Sequence, residues 1–337
     1  MGLILSARDF LVLERAPAGH RANYARSVSS ILGAPYAIGF SQQTLLEAVK
    51  TRHLVITTFE SAPAAYLALL TIRAIGGRRS TVILTRSHIR SDRVSASSLL
   101  KASGLGLLKR LRAVQRLSIT PPLAAADDGA TYIEDIEFWD LTEAVLQSGV
   151  TTALGEQAIE VAVGRPIILV TGTLEQSKGL SFLAEIFAAA PELRDRYAII
   201  CAGSAPASQQ AALAGIAGFV DLWEDRYLDD EEIFSLYRAS TAVWCCYAPS
   251  YDVSSGVFGR AVQFARPSIV RAGSIIDSLQ DRLSEGLKLD YGDLVGAATK
   301  LKTWQPVAGR PASRFEKGAA RLRDLVLAHA ADGREGR

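Results

Sequence analysis

The sequence has few aromatic and few metal-binding side chains. Of its 337 residues, 7% are aromatic, three are cysteine, four are histidine and one is methionine. Cys201, Cys245 and Cys246 lie inside apolar runs without a CxxC pair, and the histidines are scattered, so a zinc site has little support. We interpret the cysteines as small buried side chains in a cytosolic chain.

Long apolar runs are missing as well. The longest, Ala62–Ile75, is shorter than the roughly 20 residues of a membrane span and contains Arg73. The start, MGLILSARDF, has no basic n-region, which argues against a signal peptide. With 49% hydrophobic residues, the sequence predicts a folded protein, and its length predicts two domains.

Charge is distributed unevenly along the chain. Residues 1–120 contain 17 Lys and Arg against 5 Asp and Glu, a net charge of +12. The rest of the chain contains 37 − 17 = 20 basic and 35 − 5 = 30 acidic residues, a net charge of −10. The basic half favours an anionic partner, such as nucleic acid, a membrane surface or a phosphorylated substrate.

Apolar runs of strand length alternate with helical patterns throughout the chain, which predicts doubly wound parallel α/β sheets. The predicted strands are Leu3–Ser6, His53–Thr58, Thr81–Thr85, Arg116–Ile119, Pro166–Thr171, Tyr197–Ala202, Ala217–Leu222, Thr241–Tyr247 and Ser268–Arg271. The predicted domains are residues 1–155, residues 156–311, and a helix with a tail over 312–337. Ligands of such folds bind at the carboxyl ends of the strands.

Two segments of the second half are typical of anion sites. In ILVTGTLEQSKGL a strand ends at Gly172, and Lys178 precedes a helix whose free backbone amides suit a diphosphate. It is not a Walker A loop. In the second segment a loop with Asp252 leads to Ser254, Ser255 and Gly256 at a helix start, where amides face anionic oxygens and the polar side chains face sugar hydroxyls. Ordinary capped crossovers are the alternative reading.

Four ordered segments over residues 166–275 resemble a known family: GTLEQSKG, CAGS, DRYLDDEEIFSLYRAS with the following APS, and SSGVFGRAVQFARPSI. They are similar to the C-terminal domain of family-4-type, nucleotide-sugar-dependent glycosyltransferases with the GT-B fold. The resemblance implies two Rossmann-like domains facing a cleft. It also implies transfer of a hexose from a nucleotide-diphosphate sugar to a saccharide or lipid-linked acceptor, in cell-surface polysaccharide or glycolipid synthesis.

The resemblance also nominates site residues. It implies catalytic roles for His88, Lys178 and Asp252. It implies that Gly19 and His20 lie on the acceptor side. Donor-binding roles fall to Gly172, Thr173, Lys178, Gly203, Tyr227, Leu228, Ser254, Ser255, Gly256 and Val257. Lys178 and the amides around Gly256 would stabilise the leaving diphosphate, without a metal or cofactor and, as in the family, with retained configuration.

Two departures from the family pattern leave activity open. The family usually has two glutamates eight positions apart, the second of which helps to hold the nucleotide ribose. Here Asp252 and Arg260 have that spacing, and Thr173 replaces the usual basic residue after Gly172. A catalytically silent sugar-nucleotide-binding protein and a GT-B-shaped epimerase therefore stay as alternatives. A dinucleotide-dependent oxidoreductase lacks support, because no GxGxxG follows the first strand.

Leu99–Arg116 combines apolar residues at helical spacing (Leu100, Leu107, Leu111 and Val114) with five basic residues. The pattern predicts either a helix on the inner face of an anionic membrane, near a lipid-linked acceptor, or a core helix with a solvated basic face. Nucleic acid is not expected as a partner, because no stacking motif or recognisable module is present.

Overall fold

The computed structural model describes residues 6–17, 20–85, 104, 106–108, 110, 112–119 and 130–332. The chain folds as two compact units. Unit 1 combines Met1–Ile136 with Phe315–Arg337, and unit 2 is Glu137–Arg314. Each unit contains a six-stranded parallel sheet with flanking helices, so the predicted pair of α/β sheets is confirmed.

In unit 1 the sheet has the order β2-β1-β3-β4-β5-β6. Its strands are β1 Phe10–Glu14, β2 Tyr36–Ile38, β3 His53–Ile56, β4 Arg79–Leu84, β5 Val114–Ser118 and β6 Thr131–Tyr132. Its helices are α1 His20–Leu32, α2 Gln42–Lys50 and α3 Pro63–Ile75, joined by the last helix of the chain, α13 Phe315–Ala331. Residues 104, 106–108 and 110 are also helical.

In unit 2 the sheet has the order β12-β11-β10-β7-β8-β9. Its strands are β7 Ile167–Thr173, β8 Ala198–Ser204, β9 Leu222–Asp225, β10 Ala242–Cys245, β11 Ser268–Arg271 and β12 Gly286–Leu289. Its helices are α4 Glu143–Gln147, α5 Ala153–Ala162, α6 Leu180–Ala189, α7 Leu193–Arg196, α8 Gln210–Ala217, α9 Asp230–Ala239, α10 Gly256–Gln263, α11 Ile275–Leu283 and α12 Leu294–Thr303.

The division between the units falls after Ile136, earlier in the chain than the predicted boundary at residue 155. Polar contacts hold the segment that follows Ile136 on helix α10. The Gln263 amide donates to the backbone oxygen of Glu137 over 2.7 Å and accepts from the Leu141 backbone N–H over 2.9 Å. Segment 137–141 is therefore part of unit 2, although it lies within the predicted first domain, residues 1–155.

Some predicted elements differ from the structure. The predicted strand Ala217–Leu222 is wrong, because α8 extends to Ala217 and the strand begins only at Leu222. Most of the predicted strand Leu3–Ser6 lies outside the described residues, and β1 follows at Phe10. Val114, predicted on a helix within Leu99–Arg116, is buried in strand β5.

The sheet of unit 2 packs apolar side chains on its faces, as the strand runs predict. One core cluster of unit 2 joins residues of β7, β8, β10, α6 and α12, among them Ile168, Ile199, Trp244 and Leu183. All three cysteines are buried and unpaired in the described structure. Burial raises the pKa of Cys245 and of Cys246 to about 12, so both thiols stay protonated at neutral pH.

Helix α13 returns to unit 1 and packs on α1 and β4. The rings of His53 and His329 meet there edge to face, with centroids 5.6 Å apart. Arg79 donates to the His329 backbone oxygen over 2.9 Å, and Gln115 donates to that of Leu325 over 3.1 Å. Burial, together with the neighbouring Arg79, lowers the pKa of His329 to about 4. Burial, followed by the charge of His329, lowers the pKa of His53.

This histidine pair predicts an acid-sensitive unit 1. An unfolded histidine takes up its proton near pH 6.5, whereas the folded pair stays neutral to lower pH. The unfolded state therefore binds more protons as the pH falls from about 6.5 to about 4, and the free energy of unfolding decreases through that window. We expect urea midpoints to fall between pH 7 and pH 5, and to fall less for His329→Gln. An equal fall in both proteins would contradict this assignment.

Candidate functional site

The first corner of the candidate site lies at the carboxyl end of strand β7. Gly172 has a φ of +96°, and Gly179, with a φ of +72°, separates the turn containing Lys178 from helix α6. A side chain at Gly179 would meet the backbone oxygen of Cys246 at 2.1 Å. Glycine is therefore required here both for the left-handed conformation and for the close approach of the strand β10 end.

Lys178 carries the cation of this corner. Only 7% of the residue is exposed, and its Nζ lies 4.4 Å from the ring centroids of both Tyr247 and Tyr251. Trp244 Nε1 donates to the Lys178 backbone oxygen over 3.0 Å and fixes the turn. Among the described residues, no carboxylate forms an ion pair with Lys178. A largely buried ammonium that is balanced only by ring faces favours the binding of an anion.

The second corner lies between strand β10 and helix α10. Ser255 is the N-cap of that helix, and its Oγ accepts a hydrogen bond from the Phe258 N–H. The Tyr247 hydroxyl lies 2.9 Å from the same Oγ. Gly256 and Val257 follow in the first turn, where backbone N–H groups have no partner within the helix. The first turn of α10 thus has a positive helix end that favours negative charge, and the Glu137 carboxylate lies beside Gly256 at that end.

The two corners are neighbours in unit 2. A Val257 methyl group lies 3.3 Å from the position that a Cβ on Gly172 would occupy. Tyr247 links the corners directly, since its ring lies under the Lys178 ammonium and its hydroxyl contacts Ser255. Gly203 stands opposite Gly172 in the β7–β8 register. The structure therefore brings together the candidate residues of β7, β8 and α10 at one edge of the sheet.

The loop after strand β9 reaches the same edge. The Arg226 N–H donates to the Gly203 backbone oxygen over 3.0 Å, which attaches this loop to the end of β8. Tyr227 next to it is 77% exposed, whereas the Leu228 side chain is buried. The Tyr227 ring is thus available to a ligand, while Leu228 can contribute only its backbone. Thr173 is exposed at the end of β7.

Asp252 forms structural contacts with elements outside its own loop. Its Oδ1 accepts a hydrogen bond of 2.7 Å from the Ile275 N–H at the start of helix α11 and lies 3.4 Å from Arg271 Nη2. Arg271 in turn donates from Nε to the Tyr247 backbone oxygen over 3.1 Å. Asp252 therefore connects the loop before α10 to the end of β11. Its predicted catalytic role stays a prediction.

Arg260 replaces the second acid of the family pattern and forms an ion pair with Asp140. Both guanidinium NH₂ groups contact the carboxylate, with Nη2 at 3.0 Å from Oδ2. Burial alone would lower the pKa of Arg260, but the charge and hydrogen bonds of Asp140 outweigh burial and raise it. On the same helix, side chains at Gly256 and Gly259 would collide with Glu137 and Phe138. This face of α10 is therefore shaped to hold segment 137–141.

The candidate catalytic His88 and the acceptor-side residues are described only in part. His88 and Gly19 lie outside the described residues, and of His20 the structure describes only the backbone, at the start of α1. Sequence reasoning missed Glu14, which is fully buried at the carboxyl end of β1. Its carboxylate accepts from the backbone N–H groups of Arg15 and Ala16 and from the hydroxyls of Thr57 and Thr58, at 2.5–3.0 Å.

Glu60 forms a similar contact one strand further along. It accepts from the backbone N–H and the hydroxyl of Thr85, at 2.9 and 3.0 Å. No group of three or more metal-binding side chains occurs in the described part of the chain. Within the same part, no helix is both long and apolar enough to cross a membrane.

Known proteins resemble the chain in structure. One is an α,α-trehalose-phosphate synthase (UDP-forming) from Burkholderia vietnamiensis, with a TM-score of 0.59 and 12% identity over 96% of this chain and 94% of that one. Another is Anabaena Alr3699/HepE in complex with UDP, with a TM-score of 0.59 and 14% identity over 96% and 97% of the two chains. A putative UDP-N-acetylglucosamine 2-epimerase from Listeria monocytogenes has a TM-score of 0.57 and 12% identity, over 96% of both chains.

No protein-family model and no curated protein matches the chain. At such low identities the structural likeness establishes the fold and no more. The two-sheet α/β architecture is that of GT-B glycosyltransferase structures, so the predicted GT-B fold is confirmed. The family-4 assignment within that fold stays a prediction.

Proposed function

We propose that the chain is a glycosyltransferase that moves a hexose from a nucleotide-diphosphate sugar to a saccharide or lipid-linked acceptor. The observation that carries the proposal is the pairing of the Lys178 ammonium with the first turn of α10 at one edge of the unit 2 sheet. A cation without a carboxylate partner and a helix N-terminus together match the charge and the size of a diphosphate.

Each element of this edge has a part in donor binding. Lys178 and the amides of Gly256 and Val257 bind the diphosphate, while Gly172 and Gly203 leave room for its approach. Ser254 and Ser255 contact hydroxyl groups of the donor. The exposed ring of Tyr227 stacks on the nucleobase, beside Thr173 and the backbone of Leu228.

The chemistry follows from stabilising the leaving group. Negative charge develops on the nucleoside diphosphate as its bond to the sugar breaks, and preorganised donors at that point lower the barrier. We propose that Lys178 and the α10 amides supply this stabilisation without a metal or cofactor. His88 and Asp252 act near the reacting sugar, Gly19 and His20 contact the acceptor, and the reaction retains configuration, as the family resemblance implies.

The cellular setting is also part of the proposal. The enzyme acts in the cytoplasm or at the inner face of its membrane, in the synthesis of a cell-surface polysaccharide or a glycolipid. The basic N-terminal half suits an acceptor that is presented on an anionic membrane. Nucleic acid is not a partner in this proposal.

One alternative function has a specific observation in its favour. In the family, an acid at the position of residue 260 helps to hold the nucleotide ribose. This chain has Arg260 at that position, and Arg260 forms an ion pair with Asp140. A catalytically silent protein would bind a sugar nucleotide without turning it over. An epimerase of the same fold would convert the donor in the absence of any acceptor, which separates it from a transferase.

The proposal is tested by thermal-shift measurements with UDP-, GDP-, ADP- and TDP-sugars. We expect one of them to raise the melting temperature of the wild-type chain. Lys178→Met should weaken that donor by about 1–3 kcal/mol, roughly 5- to 150-fold in Kd, because a charge-assisted contact is lost. The matched control is Lys302→Met, which removes an exposed lysine of unit 2 that pairs with Glu192. It should bind the donor as the wild type does.

The outcomes separate the candidate functions. Donor binding followed by transfer to membrane-extracted acceptors supports the glycosyltransferase. Donor binding without turnover indicates the silent protein, and donor conversion without acceptor indicates the epimerase. Equal donor affinity of Lys178→Met and the wild type would remove Lys178 from the diphosphate site.

A further inference from the structure

A layer of helices covers one face of the unit 1 sheet. The connections β2 to β3, β3 to β4 and β4 to β5 all run in the same direction across the sheet. Because such crossovers are right-handed, they place α2, α3 and the helical residues 104, 106–108 and 110 on the same face. The shared core confirms this placement, since Ala48, Leu70 and Leu108 belong to one cluster.

The outer side of α3 has no charged residue. Arg73, the one charged residue of this helix, is fully buried in its inner face. The exposed positions are Ala64, Ala65, Ala68, Thr71, Ile72 and Ile75. Ile75 is 84% exposed. Surface helices ordinarily turn polar and charged side chains outward, so this helix requires an explanation.

The apolar surface continues onto the neighbouring elements. Leu46 of α2 is 50% exposed and Ile72 of α3 is 54% exposed, and helical spacing directs both toward the groove between these two helices. Leu107, on the other side of α3, is 58% exposed. We name the outer surface formed by Leu46, Ile72, Ile75 and Leu107 the α2–α3 face.

Basic residues that the structure describes lie next to the apolar residues of the α2–α3 face. Lys50 at the end of α2 and Arg110 beside Leu107 are exposed, and Glu47 is the one acidic residue within α2 and α3. Apolar side chains surrounded by basic ones match the boundary between the acyl chains and the headgroups of an anionic bilayer.

We infer that the α2–α3 face binds an anionic lipid surface. Its apolar side chains insert at the level of the headgroups, while Lys50 and Arg110 contact the lipid phosphates. A second copy of the chain fits less well, because a two-fold interface would bring each basic surface against itself. The inference is independent of the glycosyltransferase proposal, since lipid binding requires neither donor nor acceptor.

Sedimentation with vesicles tests this inference in the absence of nucleotide sugar. Vesicles of phosphatidylcholine are compared with vesicles that also contain phosphatidylglycerol, and we expect the full-length chain to sediment only with the latter. Ile72→Gln with Ile75→Gln should weaken binding about tenfold or more, because the inserted apolar area is lost. Lys50→Gln with Arg110→Gln should weaken it by about 30-fold, at roughly 1 kcal/mol per basic residue near the surface.

Matched controls lie on unit 2. Val295 and Val307 are each 78% exposed, and Val295→Gln with Val307→Gln should leave vesicle binding unchanged. Equal sedimentation with both kinds of vesicle would overturn the inference. So would a loss of vesicle binding in the unit 2 control as large as that in Ile72→Gln with Ile75→Gln. Concentration-dependent dimers that Ile72→Gln with Ile75→Gln abolishes, without any vesicle binding by the wild type, would assign the α2–α3 face to a second copy instead.

Discussion

Arg73→Met should lower the free energy of unfolding by about 3 kcal/mol. The Arg73 guanidinium is fully buried and has no carboxylate partner among the contacts of the described structure. It donates instead to the Ser80 hydroxyl at 2.9 Å and to the backbone oxygens of Ala48, Thr51 and Arg79. Two of those oxygens belong to the end of α2. Methionine fills much of the volume but leaves most of these acceptors without this donor, at about 1–3 kcal/mol for each buried group. Thr51 keeps its bond from Arg78, and removal of a buried charge that has no acidic partner offsets part of the cost, so the net loss is about 3 kcal/mol.

The charge state of Arg73 does not change this expectation at neutral pH. Burial, followed by the charge of Arg78, lowers the pKa of Arg73 to about 9, which still leaves it protonated at pH 7. Arg78→Met is the matched control, because Arg78 is partly exposed and donates to the Thr51 oxygen from Nη1. We expect it to cost about 1 kcal/mol or less in urea unfolding. Similar losses of unfolding free energy in the two variants would contradict the larger contribution that we assign to the buried Arg73 guanidinium.

Gly179→Ala should destabilise unit 2 by about 2–5 kcal/mol. The left-handed conformation costs an L-residue roughly 1–2 kcal/mol, and the contact between the new Cβ and the Cys246 oxygen adds about 1–3 kcal/mol of displacement. Because Lys178 immediately precedes this glycine, the variant should also lose affinity for an anionic donor. Thermal and urea unfolding measure the first effect, and donor titration measures the second.

Gly273 provides a control with nearly the same backbone. Its φ is +73°, against +72° at Gly179, but no atom lies within 4 Å of the position of its Cβ. Gly273→Ala should therefore cost only the conformational part, about 1–2 kcal/mol. The difference between the two variants measures the collision with Cys246. A difference in unfolding free energy near zero would contradict the close approach of Gly179 to the Cys246 backbone oxygen.

The sheets could be predicted because buried parallel strands are continuous apolar runs. Strands β1 and β9 are among the exceptions, and each has its own physical cause. Strand β9 has the sequence LWED and lies at the edge of its sheet, where polar side chains are tolerated, so its pattern is hidden. Strand β1 ends in the buried Glu14, whose four hydrogen-bond donors come from its own turn and from the end of β3. From sequence alone, a charged residue such as Glu14 is expected to be exposed. Its burial depends on tertiary contacts that the sequence does not show.

The candidate site also has parts that the sequence predicts and parts that it does not. Glycines and capping residues act locally, so the corners at Gly172, Gly179 and Ser255 could be predicted from their own neighbours in sequence. The two tyrosines around Lys178 could not, because they meet the ammonium only after β10 packs beside β7. The Arg260–Asp140 pair joins residues 120 positions apart, so the sequence showed a missing acid without showing the partner of its replacement.

The return of α13 to unit 1 has a consequence for synthesis of the chain. Leu322 and Val326 are buried in unit 1, yet they are synthesised after all of unit 2. Unit 2 is continuous in sequence and is fully translated earlier. Although unit 1 begins first, the nascent chain can complete unit 2 before it, because unit 1 also needs α13. Removal of α13 would therefore damage the unit that contains strand β1.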